Sequence, residues 1–111
     1  MKLTDRQRLV LKEAVAEIDV PIPGRNEAGP RWDGLVLSIR NQLAARHRAA
    51  VTTGFDKPGP MFSEAQVTQI MTQLVERGLL SVARGADYSK RVTVTDAGRA
   101  ALATGGDADD E

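Results

Sequence analysis

The 111-residue chain has no cysteine. That excludes a disulfide framework, a thiolate metal site and a cysteine nucleophile. A single histidine, His47, excludes a multi-histidine metal centre. No apolar run approaches the roughly 18 residues that a membrane span needs, and the opening MKLTDRQR lacks the apolar core of a signal peptide. A soluble cytoplasmic protein with no membrane partner is the expectation. Neither G-x-G-x-x-G nor G-x-x-x-x-G-K-S/T occurs, so neither glycine-rich phosphate cradle is present. No nucleophile–base pair with an orienting third group stands out, and no carboxylate cluster suggests metal or glycosidic chemistry. The chain reads as a non-enzyme with no cofactor and no metal.

Net charge is also lacking: fifteen basic residues balance fifteen acidic ones. The balance is uneven along the chain. Asp107, Asp109, Asp110 and Glu111 crowd the C-terminus, which leaves residues 1–106 with a surplus of four positive charges. Eleven of the basic residues are arginine, the side chain that meets phosphate or guanine through a planar fork. A GC-rich genome would produce the same bias. The size suits one domain with a modest core, since folding at this length buries roughly 65% of the unfolded chain's surface. The expected division is a domain over 1–104 and a disordered acidic tail over 105–111.

What is present is a run of well-punctuated segments. Thr4 and Gln7 form a Thr-x-x-Gln capping box, followed by Leu11, Ala14, Val15 and Ile18 at helical spacing. Leu3 and Leu9 or Val10 extend that stripe at its start, and Pro21 and Pro23 end the helix. Residues 20–33 form a basic loop with Arg25 and Arg31, with room for an extended stretch near Ile22. Trp32 is expected to plug the edge of the core. A second helix spans 33–50 with Leu35, Val36, Ile39, Leu43 and Ala50 on its apolar face, and His47 on the border of that face. A proline- and glycine-rich loop covers 51–62, pinned to the core by Phe55, Met61 and Phe62.

Ser63 and Gln66 form a second capping box, here Ser-x-x-Gln. Val67, Ile70, Met71, Leu74 and Val75 then make one apolar stripe, and Gly78 suits a helix C-terminus. Leu79–Arg84 and Arg91–Thr95 alternate as strands around a GADYSK loop. Thr95 caps a last helix through Ala103. The fold class is therefore mainly α with a small β-hairpin. A polar-faced helix followed at once by a hairpin is the ground plan of a winged helix-turn-helix.

VTQIMTQLVERGLLSV, a hairpin and RVTVTDAGRAAL together resemble the MarR-type winged-helix regulators. Leu74, Gly78, Leu79 and Leu80 match that family's L-x-x-x-G-L-L turn. Asp87 and Arg91 match its wing, and Thr95 and Gly98 its T-x-x-G. LTDRQRLVL resembles its LT-x-x-Q-x-x-VL helix. The long loop before Ser63 departs from the family, and the family's dimerising helices lie outside the matched segments. The resemblance implies a transcriptional regulator that binds double-stranded DNA. Its recognition helix would present Ser63, Gln66, Thr68, Gln69, Thr72 and Gln73. Glutamine can pair with adenine N6 and N7, threonine can meet a thymine methyl, and Ser63 with the free N–H groups of the first turn can hold a phosphate. Arg84, Tyr88, Ser89, Lys90 and Arg91 would serve the wing, with Arg91 pairing alternatively with Asp87. Arg46, Arg48 and Lys57 would add phosphate contacts. A homodimer would suit so short a reader. The alternative is a winged helix used for protein contact, as an anti-repressor or adaptor, favoured by the absence of lysine and arginine from the helix face.

Overall fold

A computed structural model describes residues 3–20, 29–54, 61–84 and 89–109, with side chains as far as Ala103. In chain order the elements are α1 (Asp5–Asp19), α2 (Trp32–Thr53), α3 (Glu64–Glu76), β1 (Leu80–Arg84), β2 (Lys90–Val94) and α4 (Asp96–Asp109). Mainly helical, with a two-stranded antiparallel hairpin, this arrangement is compatible with a winged helix.

Both expected capping boxes form. Thr4 Oγ1 accepts the Gln7 N–H at 3.1 Å, and Gln7 Oε1 accepts the Thr4 N–H at 3.1 Å. Ser63 Oγ accepts the Gln66 N–H at 3.1 Å, and Gln66 Oε1 accepts the Ser63 N–H at 2.8 Å. Each box satisfies backbone donors that a helix start leaves without an intrahelical acceptor. α1 gives way at Val20, which is extended because the following proline ring disfavours the helical region.

α2 runs past the end expected at Ala50. Val51, Thr52 and Thr53 remain helical, since β-branched residues cost only a fraction of a kcal/mol in a helix. The helix closes at Gly54, whose φ of 71° lets its N–H donate to the Ala50 carbonyl at 2.9 Å. The loop expected over 51–62 is shorter by that turn. Within it Phe62 is buried as expected, but Met61 is 52% exposed and pins nothing. Phe55 and Lys57 lie outside the described residues, as do Ile22 and Arg25 of the earlier loop.

The core is made by three helix stripes. Val10, Leu11 and Ala14 of α1 meet Leu35, Val36, Ile39 and Leu43 of α2 and Val67, Ile70, Met71 and Leu74 of α3. Each large side chain in it contributes roughly 1.5–3 kcal/mol by leaving water. Trp32 is 8% exposed at the start of α2, the edge plug expected of it. Leu80 and Val92 of the hairpin close the remaining side. The hairpin pairs Leu80 with Val94, Val82 with Val92 and Arg84 with Lys90.

A third backbone segment joins the hairpin on the outer edge of β2. Arg31 bridges Arg91, and the Val92 N–H donates to the Pro30 carbonyl at 3.0 Å. Gly29 makes the approach possible. Its φ is 94°, and a Cβ there would collide with the Val92 carbonyl oxygen. The chain thus enters α2 directly from a sheet edge.

The turn after α3 explains two motifs. The Gly78 N–H donates to Val75 O and the Leu79 N–H to Leu74 O, both at 2.9 Å, with Gly78 at φ 79°. That is a Schellman closure, in which buried Leu79 packs back towards buried Leu74. Thr95 Oγ1 donates to the Gly78 carbonyl at 2.6 Å and accepts the Gly98 N–H at 3.0 Å, which caps α4. A Cβ on Gly98 would collide with Leu79 O. The T-x-x-G pattern therefore seats α4 on the α3–β1 turn. α4 continues beyond Ala103, where the sequence suggested its end, to Asp109. Arg99 clamps its first turns to the end of α1, donating to both oxygens of Asp19 at 2.7 and 2.9 Å.

Candidate nucleic-acid interface

Val67, Ile70, Met71 and Leu74 turn one side of α3 inward. Helical periodicity then sends Ala65, Gln69, Thr72 and Glu76 outward, and all four are exposed. Gln66 is exposed on one flank, with half-buried Gln73 on the same flank, while half-buried Thr68 lies on the other. The expected reading residues are therefore brought to one helix surface, but they differ in what they have left to offer.

Gln69 has no hydrogen bond among the described residues, so both ends of its amide remain available. Thr72 Oγ1 donates back to the Thr68 carbonyl at 2.9 Å, which engages its proton and leaves its methyl for apolar contact. Ser63 is occupied by the cap through both its N–H and its hydroxyl. Glu64 follows it in the first turn of α3, where its carboxylate complements the helix dipole in the place a phosphate would take. Arg40 of α2 lies 3.8 Å from that carboxylate.

Gln73 is held from an unexpected direction. Gln7 of α1 donates from Nε2 to Gln73 Oε1 at 3.1 Å. A groove of about 330 Å³ runs beside this contact, lined by Thr4, Arg6, Gln7, Gln66, Gln69 and Gln73, with Ile70 as part of its wall. The Arg6 guanidinium carbon sits 5.5 Å from the centre of the Phe62 ring. Arg6 and Gln7 were legible only as members of the first helix and its cap. Their place beside α3 depends on tertiary packing, and no local pattern signals it.

A second concavity, of about 180 Å³, lies at the loop end of the hairpin strands, lined by Arg31, Trp32, Asp33, Arg84, Ser89 and Lys90. Lys90 Nζ stands 4.4 Å from the Trp32 ring centre. Three of the expected wing residues, Arg84, Ser89 and Lys90, thus converge, joined by Arg31 from the third segment. Arg91 turns instead toward that segment, donating from Nη1 to the Gly29 carbonyl at 3.4 Å. Tyr88 and Asp87 lie outside the described residues.

The remaining cations divide. Arg48 is exposed on α2. Arg46 contacts Glu13 of α1 at 2.5 Å, and the Glu13 side chain is only 4% exposed. Arg46 therefore neutralises a buried carboxylate. His47 is half-buried on the same helix. Among the described residues no cluster of three metal-ligating side chains occurs, and no helix is long and apolar enough to cross a membrane.

Comparison with protein-family models, curated proteins and solved structures finds no match for the chain.

Proposed function

We propose that the chain is a small cytoplasmic regulator of the MarR-like, winged-helix kind. In this reading α3 enters the major groove of double-stranded DNA and the hairpin lies against the flanking backbone. The observation that carries the proposal is the outward face of α3, where Gln69 and Thr72 are uncovered on a helix capped at both ends. An α-helix fits the major groove, and an amide with both ends available matches the N6/N7 edge of adenine. Arg31, Arg84 and Lys90 at the loop end of the hairpin strands supply cationic groups for phosphate contacts.

A second reading is a winged helix that contacts protein. Glu64 and Glu76 stand at the two ends of the α3 face, with no lysine or arginine between them on that helix. A titration on mixed duplexes at two salt concentrations separates the two. DNA binding predicts weak general affinity that falls steeply with salt, with tighter binding to a selected site. No binding at low salt favours protein contact.

A further inference from the structure

We infer that Arg6, on α1, is a base-reading residue of the α3 surface and recognises guanine. This inference rests on the DNA reading above and adds to it the cation that the α3 face lacks.

Two capping boxes polarise the groove between α1 and α3. Gln7 is the third residue of α1, and its Oε1 accepts the Thr4 N–H. That fixes its amide so that Nε2 donates to Gln73 Oε1. Gln66 is the third residue of α3, and its Oε1 accepts the Ser63 N–H. The carbonyl ends of Gln73 and Gln66 are therefore each engaged inside the protein. What these two side chains chiefly retain for a ligand is N–H. Arg6 lines the same groove with a guanidinium, which has donors and no acceptor.

A surface made of donors selects an edge made of acceptors. In the major groove only guanine presents two acceptors side by side, N7 and O6, and arginine meets them with two parallel hydrogen bonds. Adenine needs a donor and an acceptor together, and of the three α3 glutamines lining the groove Gln69 is the one with neither amide end engaged. Arg6 and Gln69 line one groove near the N-terminal half of α3, the part of a recognition helix that reaches base edges. The Arg6 guanidinium carbon lies 5.5 Å from the Phe62 ring centre, within cation–π range, and its planar fork loses little freedom per hydrogen bond formed. The site thus reads a guanine next to the adenine read by Gln69.

The test is site selection by the full chain from a randomised duplex pool. Wild type, Arg6→Ala and Arg6→Lys are then titrated on the selected site at two salt concentrations. Each guanine is replaced in turn by 7-deazaguanine, which lacks the N7 acceptor. For wild type, one replacement removes one of the two hydrogen bonds and is expected to weaken binding roughly 5-fold. Arg6→Ala removes both, should lose more, and should become indifferent to that replacement. Arg6→Lys should recover the salt dependence but less of the guanine preference. Arg6 is exposed, so thermal melting of both variants should match wild type. The inference is overturned if Arg6→Ala keeps the guanine preference. It is equally overturned if Arg6→Ala weakens all sequences alike and lysine restores them, since that marks a phosphate contact. Wild type that selects no site and binds no duplex at low salt would overturn the DNA reading itself, a result distinct from either.

Discussion

Gln7 and Gln73, sixty-six positions apart, are joined by a hydrogen bond of 3.1 Å from Nε2 of one to Oε1 of the other. Through it the cap of α1 sets the orientation of a side chain on α3. Gln7 is 7% exposed, so its amide depends on protein partners. Replacing Gln7 by leucine removes half a capping box and leaves Gln73 without its donor. The expected loss is about 1–2 kcal/mol of stability by urea denaturation. A double-mutant cycle with Gln73→Leu should show a coupling of about 0.5–1.5 kcal/mol. Strict additivity would deny the contact.

Among the described residues, the glycines divide into those that the fold needs and one that it does not. Alanine at Gly29 meets the Val92 carbonyl in a backbone conformation unfavourable to any Cβ, and alanine at Gly98 meets the Leu79 carbonyl. Each substitution should destabilise by about 1–3 kcal/mol. Gly34 lies in the first turn of α2, where an added Cβ would meet nothing within 4 Å. Gly34→Ala should therefore stabilise by about 0.5 kcal/mol. Thermal melts of the three variants check the ordering.

Much of this was readable because helix ends are written locally. Thr4 with Gln7 and Ser63 with Gln66 lie three residues apart, and each pair closes its own cap whatever the rest of the chain does. The apolar stripe of α3 likewise fixes which residues face outward. The third segment on β2 was not readable, because Pro30 and Arg31 pair with residues some sixty positions away and carry no strand pattern. The extra turn of α2 escaped because Val51, Thr52 and Thr53 favour strands, while the glycine cap that closes the helix follows them. The differing hydrogen-bonding capacity of Gln69 and Gln73 escaped as well. The capping box marks Gln66 in the sequence, but Gln69 and Gln73 are equivalent polar residues there, and only the fold gives Gln73 a donor from α1.

Arg46 and Arg84 should behave oppositely. Arg46→Ala leaves Glu13 as a buried carboxylate without this partner, which should cost about 1–3 kcal/mol, a range lowered for the exposure of the arginine. DNA affinity, measured well below the melting temperature, should change little. Arg84→Ala, at an exposed position, should cost less stability than Arg46→Ala. A weaker effect of Arg46→Ala on folding than on DNA would place Arg46 at the interface after all.

The clamp between α1 and α4 gives a pH signature. The hydrogen bonds from Arg99 hold the Asp19 carboxyl below its ordinary range, and Asp19 in turn raises the arginine further. The unfolded chain keeps the ordinary carboxylate value. The contribution is therefore fully present above that value and disappears as pH falls through the lower, folded one. Both side chains are about half exposed, so the effect is small. Urea midpoints of wild type and Asp19→Asn should differ at neutral pH and converge in acid. A difference that persists unchanged into acid would contradict the assignment.

The central claim is that α3 reads bases while the loop end of the hairpin grips the backbone, and one comparison tests it most directly. Gln69→Ala and Arg84→Ala are titrated against a selected duplex and a scrambled one at two salt concentrations. The account predicts that Gln69→Ala loses about 1–3 kcal/mol of discrimination between the two duplexes with its salt slope intact. Arg84→Ala should weaken both duplexes alike and flatten the salt slope by about one. Equal effects of the two variants on both duplexes, or no duplex binding by the wild-type chain, would contradict it.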